Sequence, residues 1–155
     1  PGTGDIHLSL VQSIPLTGAV VVSTPQNIAL ADAKKGVSMF QMESINVPVL
    51  GIVENMAYFT PEELPNNKYY IFGKEGAKGL AEQIEIELLA QIPLVQSVRE
   101  AADAGRPAVL QGSTPIALEL LNMTKNILVS INKRNANLAP TKAVELTNSK
   151  GCSTK

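Results

Sequence analysis

Short runs of consecutive apolar residues alternate with amphipathic stretches along most of the chain. Three runs are continuous and rich in valine, isoleucine or leucine, a composition typical of parallel strands that are covered on both faces. Strands are therefore predicted at residues 18–23, 47–53 and 87–92. Apolar residues at every third or fourth position predict helices at residues 7–14, 25–40, 78–84, 95–102 and 115–131. The order strand, helix, strand predicts an α/β fold with a parallel sheet and right-handed crossovers.

Two of these helices are preceded by the same capping sequence. Thr24-Pro25 and Thr114-Pro115 each place a hydroxyl residue before a proline, which fits the cap and the first position of a helix. We therefore expect both helices to begin at their proline.

An irregular stretch separates the second predicted strand from the next helix. Residues 54–79 follow neither period and hold five of the six aromatic residues of the chain, namely Tyr58, Phe59, Tyr69, Tyr70 and Phe72. We call these five residues the aromatic group. Two interpretations remain open: apolar burial packs the stretch on itself, or the group faces a partner subunit.

Composition and charge exclude several classes of protein. The chain has 155 residues, 45% of them hydrophobic, with 13 basic and 14 acidic side chains. It contains no apolar run long enough to cross a bilayer and no signal-peptide pattern, and its near-zero net charge predicts neither nucleic-acid nor membrane binding. The single cysteine, Cys152, cannot form an internal disulfide. We therefore expect a soluble protein located in the cytoplasm.

The charge is divided unevenly between a body and a tail. Residues 133–155 hold five basic side chains and one acidic, so residues 1–132 hold the remaining eight basic and thirteen acidic. The tail has few large apolar residues, and it cannot bury enough surface to offset the entropy of ordering it. We therefore divide the chain into a folded portion at 1–132 and a mobile basic tail at 133–155.

Candidate binding residues follow the predicted strands, because open α/β sheets bind ligands at the carboxyl ends of their strands. Asn55 comes just after the second strand, and its carboxamide offers the donors and the acceptor that pair with the edge of adenine. An asparagine at this place also serves as an ordinary turn residue. The opening sequence at residues 1–5 brings backbone N–H groups close to a phosphate in one interpretation and is a plain glycine-rich turn in the other.

Several segments together carry a resemblance that none of them carries alone. In chain order within residues 1–110 they read Pro-Gly-Thr-Gly-Asp, Val-Val-Val-Ser-Thr-Pro-Gln with Ala-Leu-Ala-Asp-Ala-Lys-Lys-Gly, Val-Pro-Val-Leu-Gly-Ile-Val-Glu-Asn-Met, Ile-Phe-Gly, Gln-Ile-Pro-Leu and Asp-Ala-Gly-Arg-Pro. The chain resembles the Mrp family, P-loop ATPases related to MinD and ParA that act as iron-sulfur cluster carriers. The resemblance implies a partial P-loop NTPase fold, a Rossmann-like parallel sheet flanked by helices that lacks the N-terminal P-loop half.

The resemblance also implies roles for particular residues. Pro1 and Gly2 match the end of the family's switch II segment. Asn55 matches the residue that contacts adenine, and Pro93 begins the loop that closes over the base. Residues 24–26 match a family signature to which capping is assigned first and nucleotide sensing second. The implied cofactors of the full-length protein are ATP and Mg, and the implied partners are a second copy in a homodimer and iron-sulfur acceptor proteins.

Two departures limit what the resemblance transfers to this chain. The Gly-Lys-Ser or Gly-Lys-Thr ending of a P-loop does not occur, and the glycines and lysines of residues 73–79 follow no strand directly. Where many relatives carry Cys-x-x-Cys, residues 60–63 read Thr-Pro-Glu-Glu, so an iron-sulfur cluster loses its usual thiolate ligands. No catalytic or metal-binding residue is assigned here, and we expect the chain neither to bind ATP tightly nor to hydrolyse it alone.

These observations indicate the C-terminal portion of an ATPase that carries or assembles iron-sulfur clusters. One alternative is a nucleotide-switched positioning ATPase of the MinD or ParA kind, which moves cargo without a cluster. The acidic body does not favour that alternative, because such proteins use a membrane helix or a basic surface. A second alternative is a non-catalytic interaction module that keeps the fold without turnover.

Overall fold

The fold is a three-stranded parallel sheet with helices packed on both faces. The computed structural model describes residues 5–61 and 63–144. The helices are α1 (Asp5–Ser13), α2 (Asn27–Gln41), α3 (Gly76–Gln83), α4 (Gln96–Asp103) and α5 (Pro115–Asn137), with a short 3₁₀ turn at Ala108–Leu110. The strands are β1 (Ala19–Ser23), β2 (Val49–Phe59) and β3 (Leu88–Leu94). None of the described helices is long and apolar enough to span a membrane.

The three strands lie side by side in chain order, and both neighbouring pairs are parallel. Val21 of β1 pairs with Ile52 of β2. Val53 of β2 pairs with Ala90 of β3. A helix follows β1 and another precedes β3, so the strand, helix, strand order expected from the sequence is confirmed. The parallel sheet places the carboxyl ends of all three strands on one edge.

Alternate residues of β2 enter two separate apolar cores, which explains why its sequence is continuously hydrophobic. Ile52 is fully buried under α2 and α3, whereas Val53 packs on the other face against α5. The first core is formed by Ala33, Ile52, Ala77, Leu80 and Ala81, and the second by Val53, Leu89, Ile92 and Ile116. A third cluster of Val11, Ile45 and Val47 joins α1 to the segment before β2.

Two strands extend further than the sequence predicts. β2 continues to Phe59, because the Phe59 backbone exchanges hydrogen bonds with Tyr69 across an antiparallel bridge, with both N–H to oxygen distances at 2.8 Å. β3 continues to Leu94 and therefore contains Pro93, which the sequence places at the start of a loop. β2 bulges between its pairings with Ile92 and Leu94, so the missing N–H of the intervening proline is tolerated.

The last helix also continues past its predicted end. α5 reaches Asn137, so residues 133–137, assigned to the tail from the sequence, form its final turn. Lysine, arginine and alanine favour helix there, and the Leu138 N–H closes the end by donating to the Arg134 carbonyl at 2.9 Å. The following segment returns to the body, where the Val144 N–H donates to the Val11 carbonyl at 2.9 Å. Residues 145–155 of the expected tail lie outside the described residues.

The two proline caps behave differently. Thr114 caps α5 as expected, accepting a hydrogen bond from the Ala117 N–H at 3.3 Å, with proline in the first turn. The expectation for Thr24 is wrong, because α2 begins at Asn27 with Gln26 at the cap position. The Thr24 hydroxyl instead donates to the Gln26 side chain at 3.0 Å, so residues 24–26 form a separate turn after β1.

Two glycines of α3 provide a matched test of this packing. A Cβ at Gly76 would overlap the Pro25 carbonyl oxygen and lie 2.8 Å from a Leu30 methyl carbon, whereas a Cβ at Gly79 meets nothing within 4 Å. We expect Gly76→Ala to lower the free energy of unfolding by about 1–3 kcal/mol through overpacking. Gly79→Ala should raise it by about 0.5–1 kcal/mol because alanine favours helix. Urea denaturation measures both, and equal shifts in the same direction would contradict the packing described.

Candidate functional site

The carboxyl edge of the sheet collects polar residues from all three strands. Ser23 on β1 pairs in register with Glu54 on β2, which in turn pairs with Gln91 on β3. One residue further along, Asn55 pairs with Ile92. Most apolar residues of the strands lie below this row, so the chemistry that the sheet offers to a ligand is concentrated at this edge.

Asn55 is half-buried, and its side chain is held by its own backbone. The Asn55 Oδ1 atom accepts a hydrogen bond from the Met56 N–H at 3.0 Å. This contact fixes which end of the carboxamide is the oxygen, because an N–H donor requires an acceptor. Among the described residues, the Asn55 amide nitrogen makes no hydrogen bond, so the side chain offers N–H donors to an external acceptor such as a ring nitrogen.

The backbone at Met56 has an unusual conformation. Its φ is 55°, a region that non-glycine residues rarely adopt. The kink falls where β2 bulges away from β3, between the residues paired with Ile92 and Leu94. It brings the Met56 N–H within reach of the Asn55 side chain, so the backbone conformation and the orientation of the carboxamide depend on each other.

Pro93 lies beside Asn55 at the same edge, because it follows Ile92, the register partner of Asn55. It belongs to β3 rather than to a loop, which corrects the expectation from the sequence. Only Val95 separates β3 from α4. A cavity of about 430 Å³ opens beyond the two strand ends. Its lining includes Phe59, Thr60, Pro61, Leu94, Val95 and Glu100.

Pro1 and Gly2, the other two candidate site residues, lie outside the described residues. The helix that follows them can be placed. His7 of α1 lines a cavity together with Val22 and Ser23 at the carboxyl end of β1, whereas Val11 packs into the cluster at the opposite end. α1 therefore lies beside β1, with the His7 ring 6.5 Å from the ring of Phe40, which packs on the same cluster as Val11.

Glu54 is a residue of this edge that the sequence interpretation did not single out. Its side chain is 0% exposed, and both carboxylate oxygens accept hydrogen bonds. The Ala77 N–H donates to Oε2 at 2.6 Å, and the Gln91 side-chain amide donates to Oε1 at 2.8 Å. A signal for it was present, since a carboxylate at the end of a strand covered on both faces must be buried with partners.

The aromatic group divides into a packed part and an exposed part. Tyr58, Phe59 and Phe72 are half-buried, and the Lys68 ammonium lies 4.0 Å from the centre of the Tyr58 ring. Tyr69 and Tyr70 are 46% and 39% exposed. The hairpin interpretation therefore describes the first three rings, while two tyrosines remain available to a partner.

The described residues offer no evident metal centre. Within residues 5–61 and 63–144, no group of three or more His, Cys, Asp or Glu side chains is placed to hold an ion. These ranges contain no cysteine, and Thr60 and Pro61 are the first two residues of the segment that replaces Cys-x-x-Cys. The donor set therefore does not fit an iron-sulfur cluster, whose iron needs thiolates.

Curated relatives of known name match most of this chain. It is 51% identical over 109 residues to the iron-sulfur cluster transfer protein NUBPL of Mus musculus, covering 70% of this chain and 33% of that protein. It is 56% identical over 110 residues to the iron-sulfur cluster carrier protein of Escherichia coli, covering 71% of this chain and 29% of that protein. The chain thus spans about a third of the length of these relatives.

Solved structures show the same architecture. A nucleotide-binding protein of Archaeoglobus fulgidus, in complex with ADP, is 37% identical with a TM-score of 0.62, over 77% of this chain and 46% of that chain. The cell division ATPase MinD of Pyrococcus furiosus has a TM-score of 0.53 at 23% identity, over 73% of this chain and 43% of that chain, and it supports the fold alone. A family model described as ParA, NUBPL iron-transfer P-loop NTPase, matches residues 1–128. This match covers most of the chain, which therefore belongs to the family of NUBPL-type iron-transfer P-loop NTPases.

Proposed function

We propose that this chain is the C-terminal portion of an ATP-binding carrier or assembly ATPase for iron-sulfur clusters, and that its carboxyl edge holds the adenine base. The observation that carries the proposal is the carboxamide of Asn55. Its oxygen is occupied by the Met56 N–H, so its nitrogen donates to a ring nitrogen of the base. Pro93, the neighbour of Asn55's register partner, covers the base from β3.

The phosphates bind elsewhere in this proposal. A phosphate cradle uses a glycine-rich turn ending in Gly-Lys-Ser or Gly-Lys-Thr, and these 155 residues contain none. Pro1 and Gly2 are assigned to the phosphates only because they match the end of the family's switch II segment, and a P-loop half outside these 155 residues would hold the rest together with Mg²⁺. In the complete protein, ATP bound through its phosphates would drive the change of the dimer that is used to carry or assemble a cluster.

The iron-sulfur cluster is cargo in this proposal and not a resident cofactor. Residues 60–63 supply no thiolate, so the cluster is not held at the place of the Cys-x-x-Cys pair. The printed names of the relatives, cluster carrier and cluster transfer protein, support acceptor proteins as partners. The proposed location is the cytoplasm, although the name of one Arabidopsis thaliana relative places that protein in mitochondria.

A chimera makes the proposal testable. Residues 1–128 replace the matching segment of the Escherichia coli carrier, which supplies the remaining sequence. In this chimera, Asn55→Leu should weaken ADP binding about two- to tenfold, because the lost hydrogen bond contributes about 0.5–1.5 kcal/mol. Isothermal titration calorimetry measures the change.

The control for this experiment is Asn122→Leu, a matched change at an exposed position on α5 that has no role at the edge. It should leave the ADP affinity unchanged. A folded Asn55→Leu chimera with the unaltered affinity would contradict the assignment of the base to this edge.

A further inference from the structure

Glu54 is held in a way that is uncommon for a buried acidic side chain. It is 0% exposed, and among the described residues it forms no ion pair with a lysine, arginine or histidine. Each carboxylate oxygen instead receives one N–H donor, from the Ala77 backbone and from the Gln91 side chain. Two such bonds offset part of the cost of removing the charge from water.

The carboxylate joins three elements at the edge of the sheet. Glu54 is on β2, Gln91 on β3, and Ala77 in the first turn of α3. The residue before that helix, Glu75, has a φ of 53° and provides no side-chain cap. Glu54 therefore caps α3 from a neighbouring strand, where the N-terminus of a helix favours a negative charge.

The bound carboxylate belongs to the residue immediately before Asn55. On the other side, Ala57 is 1% exposed and fixed in the core. The positive φ of Met56 lies between these two anchored positions. A non-glycine residue keeps such a conformation only where its surroundings hold it, and the anchors at 54 and 57 are the surroundings that do so.

We propose that Glu54 is a positioning residue for the Asn55 carboxamide. Its two hydrogen bonds hold the end of β2 so that Met56 keeps its positive φ and its N–H stays on the Asn55 oxygen. The Asn55 amide nitrogen is then turned away from the backbone. The proposal rests on the proposed function for the identity of the ligand, but the positioning itself is a property of the chain without ligand.

The chemistry of the site predicts how two substitutions at position 54 differ. Ala77 and Gln91 both donate to Glu54, so Glu54→Leu removes both acceptors at once. Glu54→Gln keeps two hydrogen bonds, because the glutamine oxygen accepts from the Ala77 N–H and its amide nitrogen donates to the Gln91 oxygen once the Gln91 amide turns over.

The experiment uses amide spectra and hydrogen exchange of the 155-residue chain labelled with ¹⁵N. In Glu54→Leu we expect the Asn55 side-chain amide signals to shift and the Met56 amide to exchange at least about tenfold faster. The Ile52 amide, which donates to the Glu87 carbonyl at 2.8 Å, should keep its rate. Glu54→Gln, which keeps both hydrogen bonds, should leave the Asn55 signals and the Met56 rate close to their original values.

The control variant is Glu82→Leu, the same change at an exposed position of α3. It should leave all these signals in place. Unchanged Asn55 signals in a folded Glu54→Leu chain would overturn the proposal, as would Met56 and Ile52 rates that rise together. If Glu54→Leu gives no folded spectrum, Gln91→Leu decides, because it removes one of the two hydrogen bonds of Glu54: shifted Asn55 signals support positioning, whereas unchanged signals overturn it.

These outcomes are independent of nucleotide. If ADP binding to the chimera proves insensitive to Asn55, the proposed function fails while the positioning can still be observed. If the Asn55 signals ignore Glu54, the positioning fails while the base assignment stands.

Discussion

The 155-residue chain alone should show no saturable binding of a fluorescent ATP analogue at micromolar concentrations. Micromolar affinity requires about 8 kcal/mol, whereas a hydrogen bond from Asn55 contributes about 0.5–1.5 kcal/mol. Burial of the base beside Pro93 adds binding free energy but does not bring the total to about 8 kcal/mol, because the charge of the nucleotide is on its phosphates and these find no partner. The chain contains no Gly-Lys-Ser or Gly-Lys-Thr turn to receive them. No hydrolysis is expected from it either.

The chimera with the Escherichia coli carrier is the positive control for this expectation. It should bind the same analogue at least about a hundredfold more tightly, since the carrier sequence outside the replaced segment restores the phosphate contacts. Fluorescence anisotropy with both proteins gives the comparison. Micromolar binding by residues 1–155 alone would mean that these residues hold a phosphate site of their own.

The exposed tyrosines lead to the second large effect. We propose that Tyr69 and Tyr70, with their rings partly open to solvent, contact a second copy in a homodimer. Removing one such aromatic anchor from an interface costs about 2 kcal/mol or more. Tyr69→Ser with Tyr70→Ser in the chimera should therefore raise the dimer dissociation constant at least about a hundredfold. Size-exclusion chromatography with light scattering should then report a monomer.

A second apolar pair serves as the control. Leu118 and Leu121 on α5 are 49% and 43% exposed, fractions similar to those of the two tyrosines. Replacing both leucines by serine should leave the dimer intact. The Tyr69 hydrogen bonds to Phe59 use only backbone atoms, so the hairpin survives the tyrosine substitutions. An unchanged dimer mass for the tyrosine variant would contradict the interface proposal and favour packing of the aromatic group within its own chain.

Sequence patterns were sufficient for the centre of the fold because they reflect local burial. The continuous apolar runs around Val21, Ile52 and Leu89 predict strands covered on both faces, and the structure buries Ile52 and Leu89 under helices. The expectation fails for part of β1, an outer strand of the described sheet, where Val22 is 60% exposed. The ends of β2 and β3 could not be predicted from local hydrophobic patterns. The extension of β2 depends on Tyr69, ten residues away, and Pro93 remains in β3 because β2 bulges opposite it.

The two Thr-Pro sequences show how tertiary contact overrides a local signal. Thr114 caps its helix as the local signal predicts, by accepting from the Ala117 N–H. Pro25 is instead packed against Gly73 and Gly76 of the segment that enters α3, and α2 begins two residues later at Asn27. Neither glycine is near Pro25 in sequence, so the local motif alone could not distinguish the two cases.

The candidate site was partly visible in the sequence. Asn55 follows a predicted strand, and its place beside Pro93 follows from parallel pairing. The positive φ of Met56 and the bonds of Glu54 involve residues 1 to 37 positions apart, and the longer contacts exist only after the sheet and α3 have assembled. These details decide which atom of Asn55 is free to bind a ligand.

A crystal structure of the chimera with ADP is the most direct measurement of the central claim. The base should lie at the carboxyl edge beside Pro93, with the Asn55 amide nitrogen about 3 Å from a ring nitrogen of adenine. A base bound elsewhere, or one with no polar contact to Asn55, would contradict the account.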